Sequence, residues 1–124
     1  MGGMNWKSIR LELARTRDFP NGSASRAYLL RLPLDRRGLV DRSALTNEPA
    51  QATVRRFFPS EPDLIGYVVG TREGWAFSYG AGEAQAHALC PVDPRPLRIG
   101  EHVLVTEPDG ARLPFRVASL RALA

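Results

Sequence analysis

The sequence predicts a mainly β protein, a small antiparallel barrel or β-roll of six to seven strands with one or two short helical turns. Three observations lead there. Apolar and polar residues alternate over several short stretches, the period-two pattern of a strand with one buried face. Glycine and proline, 11 and 10 of 124 residues, fall largely between those stretches and punctuate them as turns. No stretch sustains the 3.6-residue period of a long helix. Antiparallel strands in this number close on themselves or stack, because an open edge invites aggregation.

The strongest single element is Leu64 to Tyr79, which reads as a β-hairpin with its turn at Thr71 to Gly74. Leu64 to Val69 is nearly all apolar, the pattern of a strand covered on both faces. Glu73-Gly74 can supply the positive φ of a tight turn. Beyond it, Trp75, Phe77 and Tyr79 alternate with Ala76, Ser78 and Gly80, so the three rings share one face of the strand.

From the start of the chain, Trp6 to Arg17 reads as a first strand, with Ile9, Leu11 and Leu13 on one face. Asp18 to Ser23 is dense turn chemistry, and Arg26 to Leu34 returns as a second, antiparallel strand carrying Tyr28, Leu30 and Leu32 on one side. Asp41 is placed to cap a helical turn at Arg42 to Leu45. Residues 47–58 fit either a helix capped by Asn47 or a strand at 53–58; the neighbouring strands favour the second. Gly80 to Cys90 suits a helical turn or an irregular loop, and Pro91, Pro94 and Pro96 impose an extended connection. A last hairpin has arms at His102 to Thr106 and Leu113 to Leu120, joined by a type I turn at Glu107-Pro-Asp-Gly110.

The length suits a single domain over residues 1–124. One cysteine, Cys90, permits no internal disulfide, which fits a reducing cytoplasm. The first ten residues lack the apolar core of a signal peptide, and no apolar run is long enough to cross a membrane. The net charge is +4, and all but one of the basic residues are arginine. Residues 1–42 carry a balance of +5 and the remainder −1. A basic third can face phosphates, but the arginines are scattered, as in a bacterial protein from a GC-rich genome.

Several chemistries lack their motifs. Gly22 to Ser25 lacks the second glycine of a nucleophile elbow, and the only lysine, Lys7, is far from any P-loop glycine pair. Gly80-Ala-Gly82 begins a dinucleotide fingerprint, but Gln85 stands where the third glycine belongs. His87, Cys90 and His102, with Asp93, are the nearest approach to a metal site or a Cys-His nucleophile, but three N/S ligands fall short of structural zinc. The pairs Glu61/Asp63 and Glu107/Asp109 lie in loops, where carboxylates are expected to be solvated. No cofactor is implied.

The remaining candidate site is a binding face formed by Trp75 and Tyr79 with Arg72, Arg55 and Arg56. Such a face stacks nucleotide bases or anchors a protein partner; the competing expectation is that the rings fill the barrel. Trp6 would add a docking site if exposed. The expected function is a non-enzymatic interaction module for a protein partner or a second copy. Nucleic-acid binding and a Cys/His-dependent enzyme are the alternatives, separated by an exposed apolar patch, a basic aromatic face, or a His within reach of Cys90.

Overall fold

The computed structural model describes residues 5–79 and 89–123. Eight strands follow one another: β1 (Trp6–Leu13), β2 (Ser23–Pro33), β3 (Thr53–Phe57), β4 (Leu64–Thr71), β5 (Gly74–Tyr79), β6 (Leu89–Val92), β7 (His102–Thr106) and β8 (Arg112–Ala122). Helix α1 (Arg42–Asn47) and a 3-10 turn (Pro49–Gln51) lie between β2 and β3. Each strand pairs antiparallel with the next, and β8 returns to β1 to close a barrel.

The sequence-based count of six to seven strands is therefore short by one or two, and the strand not anticipated is β6. Its Pro91 and the prolines after it read as a connector. A strand can hold that proline because β6 is laddered along its length to β5 but meets β7 at one pair, Val92 with Val105. The expectation for residues 80–88 lies outside the described residues. The 53–58 segment resolves as β3, whose pairing with β2 and β4 outweighs its helical spacing. The first strand ends at Leu13, short of Arg17, and the second begins at Ser23, ahead of Arg26.

Closure gives every strand one inward and one outward face. Ile9 and Leu11 of β1, Leu30 and Leu32 of β2, Val68 of β4, Val103 and Val105 of β7, and Val117 of β8 point inward and are fully buried. Tyr28 sits at the centre, its ring 5.0 Å from both Phe77 and Phe115. The same geometry corrects the reading of Leu64 to Val69. The strand is covered on one face only, and Ile65 and Tyr67 stand on the outside. An apolar run does not distinguish a doubly covered strand from a barrel strand with an apolar outer face.

Local chemistry fixes the ends. Asp41 caps α1 by accepting from the Ala44 N–H, and Leu45 of that helix joins the core. Arg42 ties the helix to the β4–β5 turn by donating to the carbonyls of Thr71 and Gly74. Gly110, at φ +91°, ends the β7–β8 turn in a conformation that disfavours side chains. Gly66 pairs with Tyr79, and a Cβ there would stand 2.2 Å from the Ser78 carbonyl oxygen. Trp6 is buried, so the docking role that exposure would have given it is lost.

Phe77→Ala removes a ring that touches Tyr28, Trp75 and Tyr79. It is expected to lower unfolding free energy by about 3–5 kcal/mol in urea titration. A loss below about 1 kcal/mol would place the ring outside the core.

Candidate functional site

The five residues of the sequence-predicted face divide between the two sides of the wall. Trp75 and Tyr79 are 4% and 6% exposed and belong to the core. Arg56 is also buried and points inward, next to the outward Arg55 on β3. Arg55 and Arg72 are exposed. An exposed stacking platform built on Trp75 and Tyr79 is thereby corrected, because the period of two that aligns those rings turns them all into the barrel.

Arg56 instead enters a buried polar network at one mouth of the barrel. Its Nε and Nη2 donate to Glu107 Oε1 at 2.9 and 2.7 Å, and its Nη1 donates to Glu61 at 3.0 Å. The Tyr28 hydroxyl donates to Glu107 Oε2. The guanidinium carbon lies 3.6 Å from the centre of the Phe58 ring, adding a cation–π contact. Glu107 corrects the expectation of a solvated turn carboxylate, since it is buried. The signal was parity: Val103 and Val105 face inward on β7 and Glu107, one residue past its end, continues their alternation, as Val54 and Arg56 alternate on β3. Tyr28 and Arg56 are register partners across β2 and β3.

Electrostatics follow from this packing. Burial raises the Tyr28 hydroxyl far above the ordinary tyrosine value, and the neighbouring Tyr79 and Glu107 raise it further. Tyr79 is raised too, chiefly by burial. Its hydroxyl has no hydrogen-bond partner among the described residues. Burial alone would disfavour the Arg56 charge, but its hydrogen bonds to Glu107 and Glu61 reverse that and hold it protonated. Two clefts of about 310 and 570 Å³ reach this network, and Arg56, Glu61, Glu107 and Asp109 line both. Both oxygens of Glu107 accept hydrogen bonds, so Arg56 and Tyr28 together satisfy the buried carboxylate.

The residues proposed for metal or nucleophile chemistry do not converge. His87 lies outside the described residues. The pair Val92–Val105 sets Cys90 level with Glu107, five residues from His102, or about 16 Å along the strand. Cys90 is buried beside Phe77, whereas His102 is exposed on the outer face. Burial, then the Glu107 charge, raise the Cys90 thiol and keep it protonated. Asp93 is paired with Arg112 at 3.3 Å. Among the described residues, no three His, Cys, Asp or Glu side chains are grouped as metal ligands. Among the same residues, no helix is long and apolar enough to cross a membrane.

The outer wall holds a feature that alternation alone concealed. Leu29, Ile65, Tyr67 and Leu89 are 39%, 68%, 53% and 47% exposed. The register sets them in two adjacent rows. One row runs Leu29, Arg55, Ile65 across β2, β3 and β4. The next runs Arg31, Thr53, Tyr67, Ser78, Leu89 across β2 to β6. Asp63 holds the Arg55 guanidinium at the margin of this surface with bonds of 3.1 and 2.8 Å. Comparison of the chain with protein-family models, curated proteins and solved structures finds no match.

Glu107→Ala removes the buried carboxylate of the pair, leaves Arg56 only the exposed Glu61, and is expected to cost about 3 kcal/mol in chemical denaturation. Tyr28→Phe leaves one Glu107 oxygen without its donor and should cost about 1–3 kcal/mol. Losses near zero for both would show that the mouth network is not formed. Alkaline pH tests the tyrosines. Both native hydroxyls are raised, so their contribution is complete below the unfolded value of about 10 and is lost as pH climbs above it. Thermal melts above that pH are expected to fall less steeply in Tyr28→Phe than in the wild type; equal slopes would contradict the burial.

Proposed function

We propose that this chain is a non-enzymatic interaction module that meets a protein partner through the outer face of β2 to β6. The observation that supports this reading most is the exposure of Ile65 and Tyr67, successive outward residues of β4, with Leu29 two strands to one side and Leu89 two strands to the other. Singly exposed apolar residues need no explanation, but the adjacent pair Ile65 and Tyr67, flanked by Arg55, Thr53 and Ser78, is the kind of apolar centre with a polar surround that docking surfaces use. Its composition agrees, since Tyr67, Arg55 and Arg31 are residue types that dominate interface hot spots.

The barrel narrows the mode of contact. Among the described strands β1 and β8 pair with each other and offer no free edge, which favours recognition through side chains on the wall. The rigid wall also presents those side chains without an ordering cost on binding. A cytoplasmic location belongs to the same reading, because a buried free thiol at Cys90 suits a reducing compartment.

A benzophenone amino acid in place of Tyr67 tests the face directly. Irradiation in cells is expected to give a discrete covalent adduct, whereas the same group in place of the exposed Arg121, which pairs with β1 on the other side of the barrel, should give none. Equal yields at the two positions, or no adduct at position 67, would contradict the proposal.

A further inference from the structure

We propose that a cleft beside the β4–β5 turn binds a small carboxylate that carries one apolar group, an aryl or branched-alkyl acid. The site shares none of the residues of the docking face on the outer wall. Arg56 pairs with Leu64 at the start of β4; the cleft lies at the other end of that strand. Three segments meet there: the loop from Asp35 to Arg42, the turn from Thr71 to Gly74, and the connection from Asp93 to Arg98. The Leu97 N–H donates to the Gly38 carbonyl at 2.7 Å. Pro94 packs on Gly74, where an added Cβ would stand 3.1 Å from the proline Cβ. Arg42 donates to the Gly74 and Thr71 carbonyls at 2.9 and 2.6 Å. Between these segments is a cleft of about 220 Å³.

The lining selects the ligand. Leu39, Val40, Pro94 and Trp75 make the walls apolar. Arg42 and Arg95 supply charge, and among the described residues no carboxylate lines the cleft. The clefts at the Arg56 mouth differ, because Glu61, Glu107 and Asp109 balance their arginines. Among the described residues neither Arg42 nor Arg95 is ion-paired. The acids of the same segments are engaged elsewhere or stand outside. Asp35 accepts from the Arg37 and Leu39 N–H groups, Asp41 caps α1, and Asp93 pairs with Arg112 at 3.3 Å. Glu73 is exposed on the turn and does not line the cleft. Arg42 uses two of its N–H donors on carbonyls, which hold its guanidinium in place without neutralising it. A carboxylate takes charge-assisted bonds from the remaining donors and from the exposed Arg95, while its apolar group displaces water from the Trp75 wall. The cleft is smaller than the roughly 300–1,000 Å³ of sites for drug-sized ligands, so it suits one ring or one branched chain. A free acid has this chemistry, and so does the last residue of a peptide, which joins an apolar side chain to a carboxylate.

Titration of the full chain with phenylacetate, followed by proton–nitrogen correlation NMR, tests this. The amide signals of Gly74, Trp75 and Arg95 are expected to shift together and to saturate. Phenylacetamide has the same shape without the charge and should bind more than about tenfold more weakly. Arg95→Gln should weaken phenylacetate binding about fivefold, and Arg95→Lys less, because the charge is kept. Leu39→Glu puts a carboxylate into the cleft and should abolish binding. Unchanged signals elsewhere and an unchanged melting temperature show that each variant keeps the barrel. An N-acetylated tripeptide ending in phenylalanine separates the two sources. Tighter binding than phenylacetate, lost when the C-terminus is amidated, assigns the cleft to a chain end; weaker binding assigns it to a free acid. The proposal is overturned by no saturable shift at the three amides with ligand at about 10 mM, above a millimolar Kd. Equal binding of phenylacetamide overturns it as well, as does indifference to Arg95→Gln.

Discussion

The pairing of β8 with β1 is the constraint on which everything else depends. It turns a succession of hairpins into a closed wall with one interior. Once closed, the wall assigns each strand residue to the inside or the outside by parity alone, and a one-residue slip in any strand would invert that assignment. The interior then collects the rings of Tyr28, Phe77 and Phe115 with branched aliphatics from most of the strands, in contacts that span the chain from β1 to β8. Bulges near Arg10/Leu11 and Glu12/Leu13 let β1 serve both neighbours while curving.

The same parity distributes the polar chemistry. Arg56 faces inward on β3 and Glu107 faces inward just past the end of β7, and they meet at one mouth of the barrel. A buried ion pair adds little net stability against a hydrophobic substitute, but half of one is strongly destabilising. The pair therefore acts chiefly on register. Sliding β3 by one residue would bury Arg55, expel Arg56 and strip Glu107 of its cation. On the outside, Ile65 and Tyr67 stand exposed side by side on β4, with Arg55 between Ile65 and Leu29.

Much of this was legible in the residues. The alternation in β1, β2 and β5, the cap at Asp41 and the Glu107-Pro-Asp-Gly110 turn are local signals, and each led to the observed element. What escaped was non-local. Pro91 disguised β6 because proline tolerance depends on how much of a strand's ladder is used, which only the neighbours determine. Glu107 looked solvated because it begins a turn; its burial follows from the inward parity of Val103 and Val105 and from a guanidinium fifty-one residues away. The outer rows needed the register of β2 through β6, since the neighbours of Ile65 and Tyr67, such as Arg55 and Ser78, are set only when the strands are aligned. Trp75 and Tyr79 were candidates for both core and surface, and closure of the wall decided between them.

Closure itself is open to one direct measurement, amide hydrogen exchange followed residue by residue by NMR. Along β1, successive amides point alternately towards β2 and towards β8. A closed barrel protects both sets from Lys7 to Glu12, with exchange fastest at the single-pair seam between β6 and β7. Protection of only the alternate amides that face β2, with the others exchanging as freely as a loop, would mean that β1 is an open edge and would contradict the account.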